Sequence, residues 1–345
     1  MRLPERLVSR SPDREKASII ILTLWALCLL SAFAVTLSYG VRQKLLLVKR
    51  LDERDRLYTI ADAAVKKAQF CLKKQEEKGY DALGDPWSND ASAFKDASVG
   101  DGKFSVSYEY TDEIIKDTSI RYGLIDEESK ININVINSAV IERLIRGVLN
   151  CTDIEAQELA ASIVDWRDAD SFLSIPLGSA EDGYYKGLRY PYEAKDADFE
   201  SFDEVLLVKG IDSEIFRKIK EYITVYGSGR VNINTASKAV LSALGISEKI
   251  VNDIFLFRAG EDARIGTSDD NVFDNDSSIV AKLTQRYQLS EAEAASLTMI
   301  LERYLTSYST AFTVKITARV ANAKALVYAV SVIDRQGNIL YWQES

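Results

Sequence analysis

"ASIIILTLWALCLLSAFAVTLSYGV", residues 17–41, holds no Asp, Glu, Lys or Arg. A helix needs roughly 20 apolar residues to cross a hydrocarbon core of ~30 Å, so this run is long enough to span a bilayer. The apolar stretch of a secretory signal is only about 7–15 residues, which makes this run too long for a cleaved export signal. Arg2, Arg6, Arg10, Arg14 and Lys16 precede it and Arg42, Lys44, Lys49 and Arg50 follow it, so positive charge does not decide its orientation. No Pro or Gly interrupts residues 41–77, and Leu57, Ala61, Ala64, Ala68 and Leu72 recur at helical spacing. The spacing predicts one helix from Ser18 to Gln75, apolar all round in its lower half and amphipathic above.

The chain has 345 residues, a formal charge of −9 and no histidine. An acidic balance opposes broad contact with nucleic-acid phosphates. Without His there is no His-based triad, no ordinary zinc site, and not the commonest general base at neutral pH. Cys28 lies in the apolar run, where it serves as a small hydrophobe. Cys71 and Cys151 allow a disulfide if the soluble part is extracytoplasmic, though nothing in their spacing selects one.

Beyond the helix, "DALGDPWSNDASAF" (81–94) is rich in turn formers. In "GKFSVSYEYTDE" (102–113) Phe104, Val106, Tyr108 and Tyr110 alternate with polar residues, predicting one half-buried strand. "SIRYGLIDEESKINI" (119–133) reads as a strand pair turning at residues 126–129. "AFTVKITARV", "ALVYAVSVID" and "NILYW" add three strands near the C-terminus, the last two joined by a turn at 335–337. Between the two strand groups the pattern is helical, so the simplest topology is one sheet with a helical insertion.

The insertion echoes itself. "KININVINSAVIERLI" from Lys130 and "RVNINTASKAVLSAL" from Arg230 match at Asn132/Asn232, Ile133/Ile233, Asn134/Asn234, Ala139/Ala239, Val140/Val240 and Leu144/Leu244. Each copy offers Asn, Ser or Thr where a helix needs its N-cap. Two copies are too few for a solenoid and argue for a compact bundle. "VKGIDSEI" (208–215) and "ALGISEKI" (243–250) look like helix-hairpin-helix turns, whose N–H groups can meet a phosphate. Here a second glycine is missing, and Asp212, Glu214 and Glu248 stand where phosphates would come.

Two stretches concentrate acids. Asp165, Asp168, Asp170, Glu181 and Asp182 read as a solvated surface or as caps of helix ends. In "AGEDARIGTSDDNVFDND" (259–276), Asp262, Asp269, Asp270 and Asp274 offer hard oxygen ligands and two glycines let the backbone wrap an ion. Calcium is the cation such a set suits, with a mobile acidic loop as the alternative reading, and the spacing is not that of an EF-hand.

Five motifs in order resemble the K-type minor pseudopilins (GspK family) of bacterial type II secretion systems. They are "SIIILTLWALCLLSAFAV", "YGLIDEESKININ", "IVDWRDADS", "GSAEDGYY…YPYEAKDADFESFDEVLLVKGI" and "VNINTASKAVLSAL". The resemblance implies an α+β fold. It has a long N-terminal transmembrane helix, a pseudopilin α/β head with an antiparallel sheet, and a large inserted all-α domain of helix-hairpin-helix or SAM-like repeats. The expected divisions are a leader at 1–17, a transmembrane segment at 18–41, helix and first head strands at 42–133, the insertion at 134–305, and the last head strands at 306–345.

The resemblance also implies a non-enzymatic protein at the tip of the pseudopilus, nucleating and capping its assembly for export across the outer membrane. It would be a single-pass inner-membrane protein with its C-terminal head in the periplasm. Expected partners are the I- and J-type minor pseudopilins, other pseudopilins and prepilin peptidase, with no nucleic acid. Cleavage would fall between Ala17 and Ser18, leaving a methylated N-terminus, although the family normally has Gly at the place of Ala17. Other pseudopilins keep a Glu where this chain has Leu22. The family's bound calcium is carried onto Asp262, Asp269, Asp270 and Asp274. The alternative is a membrane-anchored receptor that binds DNA through its hairpin turns.

Overall fold

A computed structural model describes residues 12–320 and 326–344, with side chains from residue 18 onward. The chain divides after Arg56 into two compact units. Helix α1 (Pro12–Lys73) supplies the described part of the first, and it is long and apolar enough to cross a membrane. Its apolar side chains face outward: Trp25 and Phe33 are each 67% exposed, so no core of this chain covers them. Most of the expected leader lies outside the described residues, while Ala17 and Ser18 stand within α1.

In the second unit the last turns of α1 bury the predicted stripe of Leu57, Ala61, Ala64, Ala68 and Leu72, together with Ile60 and Val65. Against it lies a sheet. After the short helix α2 (Ala91–Phe94) come β1 (Ala97–Val99), β2 (Gly102–Val106), β3 (Tyr108–Asp112), β4 (Asp117–Arg121) and β5 (Ile125–Asp126). The insertion follows, and the chain returns with three strands: Ala311–Val320, Leu326–Asp334 and Ile339–Glu344. Ala311–Val320 is the centre of the sheet, pairing antiparallel with β2, β5 and Leu326–Asp334. Early and late strands therefore share one sheet. Its inner face brings Phe104, Val106, Phe312, Val314, Ile316 and Ala318 onto α1. Truncating a fully buried member such as Leu72 to Ala costs about 2–5 kcal/mol.

Two local readings change. The strand expected over residues 102–113 divides: β2 stays in the main sheet, whereas β3 leaves to pair with β4 in a separate ribbon. The strand pair expected to turn at 126–129 does not form either. β5 pairs with Ala311–Val320, and β6 (Ile131–Asn132) runs parallel to a different strand, Ile223–Thr224. The reason is that Asp126, Glu127 and Glu128 are buried, not solvated. Asp126 accepts from Asn232, Thr235 and Ser309; Glu127 from Lys130, Thr224 and Thr313; Glu128 from Ser228, Thr310 and Ala311. These carboxylates tie both halves of the insertion to the sheet; burial pushes Asp126 and Glu128 up, whereas the Lys130 ammonium and two hydroxyls hold Glu127 down against its burial.

The echoed sequences build two repeats. The first runs β6, α3 (Ser138–Leu149), α4 (Asp153–Arg167), α5 (Asp182–Tyr185), α6 (Ser213–Ile219) and β7 (Ile223–Thr224), closed by the parallel β6–β7 pair. The second runs β8 (Val231–Asn232), α7 (Lys238–Ala243), α8 (Glu248–Arg258), α9 (Ile279–Tyr287), α10 (Glu291–Tyr304) and β9 (Leu305–Thr306), closed by β8–β9 in the same way. The three late strands are β10 (Ala311–Val320), β11 (Leu326–Asp334) and β12 (Ile339–Glu344). Asn137 and Ser237 cap α3 and α7 through Val140 and Val240, one turn into each helix.

The repeats share a clamp as well as a cap. Asn134 exchanges two hydrogen bonds with the backbone of Phe199 (2.8 and 2.9 Å), and Asn234 does the same with Phe273 (2.9 and 3.0 Å). Arg167 donates to the Ile136 carbonyl and Arg258 to that of Ala236. The residue before each arginine stacks on the clamped ring, Trp166 on Phe199 and Phe257 on Phe273. Residues 168–198 and 259–272 are thus equivalent loops held at both ends by equivalent side chains. Cys28, Cys71 and Cys151 are all free, so the disulfide left open by the sequence does not form.

Candidate functional site

The two equivalent loops are the two acidic stretches of the sequence, and they use their carboxylates differently. In the second, Asp269 accepts from the N–H groups of Glu261 (2.7 Å) and Asp262 (3.0 Å) and from the Thr267 hydroxyl (2.7 Å). Those bonds, the Thr267 hydroxyl first, hold its carboxyl down to about 2. Asp270 accepts from Gly266 and Thr267, Asp262 from Arg264, and Asp274 from Lys282 and Ser278. The four residues expected to hold calcium are therefore each engaged with donors of their own chain.

The first loop leaves its acids facing one another. Asp165 and Asp168 lie at the C-terminal end of α4, one turn apart, where the helix dipole already adds negative potential. Glu181 stands at the N-cap of α5. Ligand oxygens of Asp168, Asp170 and Glu181 all lie within 4.8 Å of one another, the one such acidic or thiol group among the described residues. Glu181 is only 7% exposed, yet its Oε1 is buried without a hydrogen-bond partner, as is Oδ1 of Asp168. Burial, then the carboxylates of Asp165, Asp168, Asp196 and Asp170, push Glu181 up to about 7. Burial and the neighbouring Asp170 and Asp165 raise Asp168 too.

Asp165 has another task. Both its oxygens accept from Ser174 N–H (3.2 Å), which fixes the start of the loop. Below, Trp166 meets Tyr185 edge-on at 5.1 Å and Tyr185 stacks on Tyr192, a dry aromatic floor. Buried carboxylate oxygens close together with no donor between them hold protons tightly, and a hard divalent cation would relieve the same repulsion. Of the acids read from sequence as solvated surface or helix caps, Asp168 and Glu181 do stand at helix ends and Asp170 is exposed, but Asp165 and Glu181 are buried. The sequence does carry a sign of this: no Lys or Arg stands between Arg167 and Lys186 to neutralise them, whereas the second loop contains Arg264.

The hairpin turns are occupied in their own way. The Asp212 carboxylate caps α6 by accepting from Glu214 (2.9 Å) and Ile215 (2.8 Å), and Ser247 caps α8 through Ile250. Three of the N–H groups that could meet a phosphate are thus already taken, those of Glu214, Ile215 and Ile250.

Residues 125–228, which contain the first repeat and its carboxylate cluster, match the family model for the type II secretion system protein K. A type II secretion system protein K of Aeromonas hydrophila is 34% identical over 110 residues, 30% of this chain. This chain is similar to the type II secretion K proteins. The match spans a third of the Aeromonas protein's length (33%). Another protein K, from Pectobacterium carotovorum subsp. carotovorum, is 24% identical over 251 residues, 72% of this chain and 74% of that one. A chain of the GspK–GspI–GspJ complex from enterotoxigenic Escherichia coli superimposes with a TM-score of 0.63 at 18% identity, over 86% of this chain and 99% of that one. This chain has a long apolar helix, an antiparallel sheet and many inserted helices, and over the superimposed part its α+β fold is that of the E. coli structure.

Proposed function

We propose that the chain is the K-type minor pseudopilin of a type II secretion system, a structural part of the pseudopilus tip rather than a catalyst. The observation that carries this reading is α1: its apolar side chains up to Leu51 are outward-facing, while its later turns pack on a pseudopilin-type sheet. A single-pass anchor in the inner membrane, with the head in the periplasm, gives that surface lipid at rest. Assembly then exchanges lipid for the helices of other pseudopilins, and each Å² of apolar surface kept from water in the stack is worth about 25 cal/mol.

In this reading prepilin peptidase acts between Ala17 and Ser18, and the new N-terminus is methylated. Leu22 stands where a carboxylate would bind the terminal amine of a subunit above, so nothing need stack above this one, and the two-repeat insertion crowds the space over it. The chain nucleates and caps the fibre with I- and J-type partners, a pairing suggested by the composition of the E. coli complex. A head beginning at Arg42 should capture I- and J-type heads in a pull-down. Folded heads that ignore one another would sink the reading.

The divalent cation implied by the resemblance is assigned to Asp168, Asp170 and Glu181, supported by the closeness of their oxygens and by the unpartnered buried oxygens of Asp168 and Glu181. Calcium there would supply positive charge and fixed geometry, not chemistry, and would keep the first repeat closed. Melting with and without EGTA tests it.

A further inference from the structure

Lys209 belongs to the hairpin-like turn at 208–215, and its side chain turns away from any phosphate position. Its ammonium donates to three carbonyls in succession, Leu177 (3.3 Å), Gly178 (3.0 Å) and Ser179 (3.1 Å). The face of Tyr184 lies 5.2 Å from the same nitrogen. Lys209 also donates its backbone N–H to the Tyr185 hydroxyl (3.2 Å). One residue thus grips the chain just before Glu181 and just after it. Gly210, with φ of +83°, lets the turn fold back tightly enough for both contacts, and Leu159 sits against it.

Three backbone carbonyls and an aromatic face are what an ammonium ion needs, and here they hold a strand of loop with little secondary structure of its own. Other restraints act on the loop as well: the Gly178 and Ser179 N–H groups donate to the Ile175 carbonyl, and Asp182 accepts from Ala194 N–H. Asp165 holds Ser174, and the Ser179 hydroxyl accepts from Ile175 N–H. The segment from Leu177 to Ala180 has no other cation reaching its carbonyls among the described residues.

We propose that Lys209 is a positioning residue for the carboxylate cluster. Its ammonium fixes the backbone that presents Glu181, so a turn of DNA-binding appearance serves cation binding from behind. This rests on the cation reading above. Groups that orient metal ligands from outside the coordination sphere commonly change metal affinity by about 10–100-fold when removed.

The test is a calorimetric calcium titration of the full chain in detergent micelles, comparing wild type, K209M, K209R, E181Q and K209M/E181Q. K209M should weaken calcium binding by about 10–100-fold, and K209R, which keeps the charge, should recover most of it. The melting temperature in EGTA should fall modestly in K209M for the lost hydrogen bonds, and the calcium-induced gain should be reduced on top of that. The double variant should bind no worse than E181Q. Undiminished binding by K209M, where E181Q has lost it, overturns this inference and leaves the cation site standing. An equal fall of the K209M melting temperature with and without calcium overturns it as well, because that marks a general structural loss. A wild-type chain that takes up no calcium overturns the cation reading itself.

Discussion

The loops at 168–198 and 259–272 occupy the same place in two related repeats, each bracketed by an arginine on a carbonyl and an asparagine on a phenylalanine backbone. Both are acidic, yet of the two only the first keeps buried carboxylate oxygens without a hydrogen-bond donor. Asp269 and Asp270 turn inward onto N–H groups of their own loop, and that loop is complete as it stands. Asp168 and Glu181 keep buried oxygens with no donor. What separates a metal site from an acidic turn is not the number of carboxylates but whether the backbone has already satisfied them.

The largest expected effect follows directly. Calcium at about 100 times its Kd should stabilise the chain by about 2.7 kcal/mol, or roughly 4–5 °C in melting temperature for a unit of this size. E181Q or D168N should abolish that gain, and D269N or D274N should leave it intact. Equal losses from both pairs would erase the distinction between the loops.

The shared clamp gives a second, smaller contrast. N134A and N234A each remove both hydrogen bonds to a phenylalanine backbone and leave that N–H and carbonyl unpaired, at about 1–3 kcal/mol. Urea unfolding without calcium should show the two losses to be similar. Calcium affinity should fall in N134A alone, and a fall in N234A of the same size would break the comparison.

Acid should act on the second loop. The Asp269 carboxyl is depressed in the folded state, so its contribution is fully present above the ordinary carboxylate range and is lost as pH falls through about 2. A carbon-detected NMR titration should place its midpoint near that value. A midpoint near an ordinary aspartate's would mean that the loop's N–H groups do not hold it.

Much of this architecture was legible in the sequence, for reasons that differ by element. The stripe of Leu57, Ala61, Ala64, Ala68 and Leu72 and the strands after Ala311 follow periodicities that burial on one face imposes. The Asn132/Asn232 echo marked the two repeats because identical clamps need identical residues at identical spacing. The stretch at 119–133 was misread because Asp126, Glu127 and Glu128 look like a solvated turn until their partners at 224, 235, 309, 310 and 313 are brought to them. The carboxylate site was hidden by the same kind of fact. Whether an aspartate finds donors depends on backbone angles within its own loop, and residue type does not encode those.

A crystal structure grown in calcium tests the central claim most directly. It should show an ion bound by Asp168, Asp170 and Glu181, with Asp269 and Asp270 still on their backbone N–H groups. An ion seated instead among Asp262, Asp269, Asp270 and Asp274, with the first loop empty, would contradict it.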